Sequence, residues 1–202
     1  MSIRFVDVLL AGCCLALWGC QSAPKAPDGS VQAQTGAPQA EVDRKSIALF
    51  DQALDAIHAE RYAEAEKLLK ELTTRDPNLS GPWVNLGSVY VALGDEAAAT
   101  AAYKRAVEVN PDSCAAYIEL GVLARRSGDF LSAEADYLAC TSRVPNFREA
   151  YLNLGILYEL YLGRFDDALE AYQTYQSLSD SPDRRVAGWV SDLQRRLAGN
   201  ES

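Results

Sequence analysis

The sequence predicts an all-α fold in which similar helical units stack one on the next as a solenoid, closed by a C-terminal capping helix. Three observations carry that prediction. Gly87, Gly121 and Gly155 stand 34 residues apart, and so do Pro77, Pro111 and Pro145. Ala65, Ala99 and Ala133 keep the same step. Tyr103 and Tyr137 follow it too, with Leu69 in the preceding place. A fixed step of this length marks a repeat architecture. One such unit cannot bury its own apolar face, so neighbours must stack into a continuous core.

Residues 1–19 read as an export signal. Arg4 and the amino terminus supply positive charge, and Val8 to Trp18 forms an apolar core, with Asp7 at its edge. Leu17-Trp18-Gly19-Cys20 resembles the lipobox of bacterial lipoproteins. That resemblance implies a diacylglyceryl group on the Cys20 thiol, cleavage before Cys20, and an N-acyl chain such as palmitate on the new amino terminus. Gly19 suits a peptidase that needs a small side chain before the cut. Leu10-Ala11-Gly12-Cys13 matches the same pattern, which keeps Cys13 as the alternative anchor, although it leaves a shorter apolar run before it. An export signal without lipid is the third reading. Gln21, where an aspartate would favour inner-membrane retention, implies the inner leaflet of the outer membrane, facing the periplasm.

Residues 20–44 form a linker. The stretch 21–40 carries Pro24, Pro27, Pro38, Gly29 and Gly36 and almost no large apolar group. It cannot bury enough surface to offset its ordering entropy. A flexible tether of this length reaches about 25 Å on average, and roughly 65 Å when drawn out.

The repeats occupy 45–181. The window 80–113 holds Trp83, Leu86, Gly87, Tyr90, Ala99, Tyr103, Ala106 and Pro111. The window 114–147 holds Tyr117, Leu120, Gly121, Ala133, Tyr137 and Pro145, with Ala124 and Cys140 as departures. These residues at this period resemble the tetratricopeptide repeat, which implies right-handed stacking of antiparallel helix pairs. The window 148–181 opens with Tyr151, Leu154, Gly155 and Tyr158, then runs one residue late at Gly163, Ala168 and Tyr172. The extra residue is expected in the helix–helix turn at YLGR, where an insertion costs least. Tyr175 stands where a small residue is usual, so the exit from this repeat should pack differently. The window 45–79 keeps Ala65, Leu69, Leu72 and Pro77 but lacks the aromatic and the glycine of its first helix, and reads as a degenerate or capping repeat.

The spacing has a physical basis. Leu86 and Tyr90 lie four apart on one helix face. Gly87 and Ala99 lack bulk, which lets paired helices approach. Gly94-Asp95 and Gly128-Asp129 supply turns, each with an aspartate to cap the next helix. Pro111-Asp112-Ser113 is expected to end one repeat and cap the next. In 182–198, Val186, Trp189, Val190, Leu193 and Leu197 form one apolar stripe opposite arginines, as a capping helix requires.

Cys114 and Cys140 fall in one repeat. Their residue numbers have the same sum as Gly121 with Ala133 and as Tyr117 with Tyr137, the relation of facing positions in an antiparallel hairpin. In an oxidising compartment they are expected to bridge; two buried thiols are the alternative.

A net charge of −9 on 202 residues argues against nucleic acid and against adhesion to anionic lipid. His58 is the one histidine, which excludes histidine triads and multi-histidine metal sites. No phosphate-binding glycine loop is present. The chain therefore reads as non-catalytic, with no cofactor besides the expected lipid.

The tetratricopeptide resemblance implies a concave face lined by the first helix of each pair, which receives a protein segment. Aligned by window, that lining is Val84, Asn85, Ser88 and Val91, then Ile118, Glu119, Val122, Arg125 and Arg126, then Glu149, Leu152, Asn153, Ile156 and Glu159. Asn85 and Asn153 match places where the family bonds a bound backbone, and Arg125 and Arg126 would pair with a ligand carboxylate. The expectation is an adaptor lipoprotein that binds an envelope protein and meets the membrane through its lipid alone. It resembles pilotin-type lipoproteins, hydrolase adaptors and accessories of TonB-type complexes. A self-associating structural protein and a soluble periplasmic repeat protein without lipid stay open.

Overall fold

The computed structural model describes residues 43–200. The export signal, Cys13, Cys20 and the linker up to residue 42 lie outside the described residues. Among those described, all regular structure is helical. α1 (Arg44–His58) pairs with α2 (Tyr62–Arg75), α3 (Ser80–Leu93) with α4 (Glu96–Val109), and α5 (Cys114–Ser127) with α6 (Phe130–Arg143). α7 (Arg148–Leu157) runs on into a π-helical turn, Tyr158–Leu162, and pairs with α8 (Phe165–Ser177). α9 (Arg184–Asn200) packs on α8. The second helix of each pair also packs against the first helix of the next, so the buried side chains follow one another along the stack.

Turn chemistry sets the helix ends. Gly94, Gly128 and Gly163 adopt φ of +81°, +85° and +65°, the left-handed conformation that closes a helix C-terminus. Asp95 then accepts from the Ala98 backbone N–H at 2.9 Å, and Asp129 from that of Ser132 at 3.1 Å. Both aspartates therefore cap as the sequence predicts. Ser113 does not: its side chain makes no cap bond. The loop before α5 is held instead by Asn110, whose side-chain oxygen accepts from the Asp112 N–H at 3.0 Å.

Packing inside each pair sharpens one expectation. The space that the glycines leave is filled by tyrosine rings. A Cβ on Gly87 would lie 2.5 Å from Tyr103, and one on Gly121 or Gly155 would lie 2.4 Å from Tyr137 or Tyr172. All three rings are buried. In the first pair the equivalent places hold Ala53 and Leu69, both fully buried in one cluster. A larger residue on α1 is matched by a smaller one on α2.

The inserted residue lies elsewhere than expected. The link Gly163-Arg164 is as short as Gly94-Asp95 and Gly128-Asp129. The extra residue is taken up within the last helical turn, which widens to the π form over Tyr158–Leu162. The Tyr158 hydroxyl donates to Glu134 at 2.9 Å, and Arg164 reaches the same carboxylate oxygen at 2.7 Å.

The open ends of three of the pairs are fastened differently. Cys114 and Cys140 are joined by a disulfide. One step on, Arg148 replaces Cys114 and Tyr175 fills the place of Cys140; the guanidinium lies 4.5 Å from the ring centroid and donates to the hydroxyl at 2.6 Å. In the first pair Asp43 caps α1 through the Ser46 N–H and pairs with Arg75, while the Ser46 hydroxyl bonds Asp76. Arg75 holds the Asp43 carboxyl down at about 2.

The helix expected at 182–198 runs Arg184–Asn200, capped by Asp183, which accepts from the Arg185 N–H at 2.8 Å. Val186 and Leu193 are buried, and the Trp189 ring lies 5.3 Å from that of Tyr172.

Candidate functional site: the face of the first helices

The first helices α1, α3, α5 and α7 carry two parallel rows at the repeat period. One is apolar: Phe50, Val84, Ile118 and Leu152, each half-buried. The other is polar: Asp51, Asn85, Glu119 and Asn153. The members of one row occupy the same turn of successive helices, so a ligand crossing the stack meets them in turn. Phe50 and Asp51 are absent from the lining read by window alignment, because the first repeat looked degenerate. Stepping back one period from Val84 and Asn85 finds them.

Asn85 and Asn153 are oriented alike. Each amide nitrogen donates to the carbonyl one turn earlier in its own helix, Gly81 and Glu149 respectively, both at 2.9 Å. Glu119 is half-buried, and burial pushes its carboxyl above the usual range.

The tyrosines beneath the glycines also reach this face. The Tyr103 hydroxyl lies 3.2 Å from Ser88 Oγ, and that of Tyr172 donates to Glu159 at 3.0 Å. The Tyr137 hydroxyl is buried with the Arg125 guanidinium beside it. Burial raises all three phenols, Tyr103 to about 12, so they stay neutral donors at physiological pH. The glycine–tyrosine spacing could have pointed to these hydroxyls, since the ring that covers the glycine carries its oxygen beyond it.

Val91, Val122 and Ile156 are partly buried among these residues. The two arginines are engaged within the chain. Arg126 pairs with Glu96 of α4 at 2.7 Å. Arg125 donates to the Tyr161 hydroxyl at 3.1 Å and lies 5.4 Å from that ring's centroid. The π turn brings Tyr161 there, where its ring also meets Phe130 at 5.1 Å. Glu149 is exposed beside Arg148 at 3.5 Å.

Cavities flank the stack. One, about 470 Å³, is lined by Ile47, Phe50, Leu72, Leu79 and Pro82 at the α1 end of the apolar row. Another, about 400 Å³, lies between α4 and α6 over α5 and includes Lys104 and Asp136. His58 is exposed on the last turn of α1. Among the described residues no cluster of histidine, cysteine and carboxylate side chains could hold a metal ion. Among them, too, no helix is long and apolar enough to cross a membrane.

Stacked helix pairs with period-matched rows along their first helices define a helical-repeat scaffold. Two tetratricopeptide-repeat family models match, one over residues 56–121 and the other over 118–183. The chain belongs to the tetratricopeptide-repeat family. Solved structures agree in fold. A tetratricopeptide repeat protein from Parabacteroides merdae ATCC 43184 is 19% identical, with a TM-score of 0.65, over 78% of this chain and 62% of that one. MamA from Desulfovibrio magneticus RS-1 is also 19% identical, with a TM-score of 0.63, over 78% and 88%. YrrB, described as a TPR protein with an unusual peptide-binding site, is 23% identical, with a TM-score of 0.58, over 73% and 74%. At these identities the likeness is one of fold. No curated protein sequence matches the chain.

Proposed function

We propose that this chain is a non-catalytic adaptor that holds a segment of a partner protein along the face of its first helices. One observation carries the reading: the rows through Val84 and Asn85 repeat on each first helix from α1 to α7, and every member but the exposed Asp51 is partly buried. The rows follow the stack helix by helix, so a polymer lying across it would meet one contact of each row per repeat. YrrB, similar in fold, is described as having a peptide-binding site.

We further propose that the adaptor works at the periplasmic face of the outer membrane, anchored by lipid on Cys20, in the assembly of an envelope complex. The lipobox-like run Leu17-Trp18-Gly19-Cys20 supports the anchor. The Cys114–Cys140 disulfide fits an oxidising compartment.

Photocrosslinking in cells from Ile118 or Val122 tests the first part, and capture of a single envelope protein is expected. Capture of this chain alone would instead favour self-association. Cys20→Ala tests the second part: the variant should leave the membrane fraction, and retention there would refute the anchor.

A further inference from the structure

Asp51, Asn85, Glu119 and Asn153 follow one another at 34-residue steps on successive first helices. The amide nitrogens of Asn85 and Asn153 donate to carbonyls of their own helices at 2.9 Å. A helix carbonyl can only accept, so the nitrogen must face it and the amide oxygen is the atom turned away. Asp51 and Glu119 have no hydrogen-bond or ion-pair partner among the described residues. At Asn85 and Asn153 the amide oxygen faces outward beside the second amide N–H, and the two charged members of the row, Asp51 and Glu119, are both carboxylates. Arg126 is paired with Glu96, and Arg125 is bonded to and stacked on Tyr161. Uncompensated charge along the row is therefore negative, and at Glu119 it is half-buried, where an absent partner costs most.

The periodicity of an extended chain narrows the ligand further. A polyproline-II segment turns once in three residues and rises about 9 Å in doing so, so every third residue returns to the same side and can face a row that runs from helix to helix.

We propose that this row binds a basic, extended segment of a partner protein, with lysine or arginine at about every third position donating to Asp51, Asn85, Glu119 and Asn153. The residues between them rest on the apolar row through Val84 and Ile118. The inference depends on the first-helix face being the binding face. A second copy of this chain carries net charge −9 and fits poorly. The chain's own residues 20–42 offer Lys25 against Asp28 and Glu41, and fit no better.

The test uses the full-length protein and three labelled twelve-residue peptides, with affinity read by fluorescence anisotropy. One is four repeats of Lys-Pro-Val, the second four repeats of Glu-Pro-Val, and the third has the composition of the first with its lysines contiguous. The first should bind most tightly. Glu119→Gln and Asp51→Asn should each weaken it about three- to tenfold, as for loss of one partly desolvated charge contact. Asp166→Asn at the start of α8 makes the same charge change off this face and should alter binding less than twofold. Equal effects of Asp166→Asn and Glu119→Gln would overturn the proposal, as would tighter binding of the glutamate or contiguous-lysine peptide. Val122→Trp separates the two levels of inference. If it abolishes binding while Glu119→Gln does not weaken it, the face is right and its charge assignment wrong. If peptide binding survives Val122→Trp unchanged, the face itself is wrong.

Discussion

The Tyr137 ring fills the space that a Cβ on Gly121 would need, its nearest atom 2.4 Å from that position. Real Cβ contacts do not come so close, so the absence of a side chain at Gly121 is what lets α5 and α6 pack around a buried phenol. Gly121→Ala should therefore lower stability by about 1–3 kcal/mol, the cost of overpacking a tight core. The first pair shows how the loss is repaired, since Ala53 and Leu69 occupy the same two places. Tyr137→Leu in the Gly121→Ala background should recover at least about 1 kcal/mol, although Tyr137→Leu alone opens a cavity and destabilises. A double-mutant cycle from urea midpoints measures this. Simple additivity of the two changes would show that the ring and the glycine are not coupled.

The disulfide between Cys114 and Cys140 closes a loop with a sequence separation of 26. By chain entropy such a closure contributes about 3–4 kcal/mol. Replacing both cysteines by alanine should lower the unfolding free energy measured in urea by that amount. Thiol counting on the denatured, non-reduced protein should find neither of these two cysteines free. A double variant as stable as the parent would show that the reduced chain is already restrained by the packing of Ala150 and Tyr117 around the pair.

The repeat period, the helix pairs and the caps at Asp95 and Asp129 were legible because each rests on local chemistry: a left-handed glycine, a short acceptor side chain, a fixed interval. The cysteine pair was legible because it needed only the antiparallel relation of two helices. What escaped depends on how side chains reach in three dimensions. Gly87 with Ala99 read as bulk withheld so that two helices approach, but the tyrosine one turn beyond each alanine fills the space that a Cβ on the glycine would need. The insertion near Tyr161 showed as a one-residue shift, yet nothing in the letters distinguishes a longer loop from a wider helical turn. That choice follows from Tyr158 and Arg164 both binding Glu134, contacts that hold the link short and leave the helix to absorb the residue. Phe50 and Asp51 were missed because similarity to the consensus guided the reading, whereas the surface rows keep the period without the consensus.

Asp136 on α6 borders the cavity between α4 and α6. Burial pushes its carboxyl up to about 6 from 3.8, with Lys104 pulling the other way and Asp129 adding to the rise. The folded state then binds this proton more tightly than the unfolded chain does. The sign follows: its contribution favours folding at low pH and is lost as pH rises from about 4 through about 6. Asp136→Asn cannot ionise, so it should be more stable than the parent at pH 8 and no more stable at pH 4. Part of the side chain is exposed, which reduces the gain to about 1 kcal/mol. Urea midpoints of the two proteins at pH 4, 6 and 8 check this, and a difference independent of pH would rule out the titration as its origin.

Glu60 stands one period before Gly94 and two before Gly128, and it adopts φ of +56°. It is the one non-glycine residue with positive φ among those described. The turn around it uses the same bonds as its glycine counterparts: Glu60 N–H to the Ile57 carbonyl at 2.9 Å and Arg61 N–H to that of Ala56 at 2.8 Å, as Gly94 and Asp95 bond to Val91 and Tyr90. A side chain in this conformation costs about 1–2 kcal/mol through the clash of Cβ with the carbonyl oxygen. Glycine removes that clash but gives the unfolded chain more freedom, which takes back about 0.5–1 kcal/mol. Glu60→Gly should therefore stabilise the protein by roughly 0.5–1 kcal/mol. Glu60→Ala keeps the Cβ and should gain nothing, which separates backbone relief from loss of the carboxylate. Gly128→Ala provides the reverse test, with an expected loss of about 1 kcal/mol. If Glu60→Ala stabilised as much as Glu60→Gly, the gain would come from removing a negative charge near the end of α1, and the left-handed turn would carry no cost of its own.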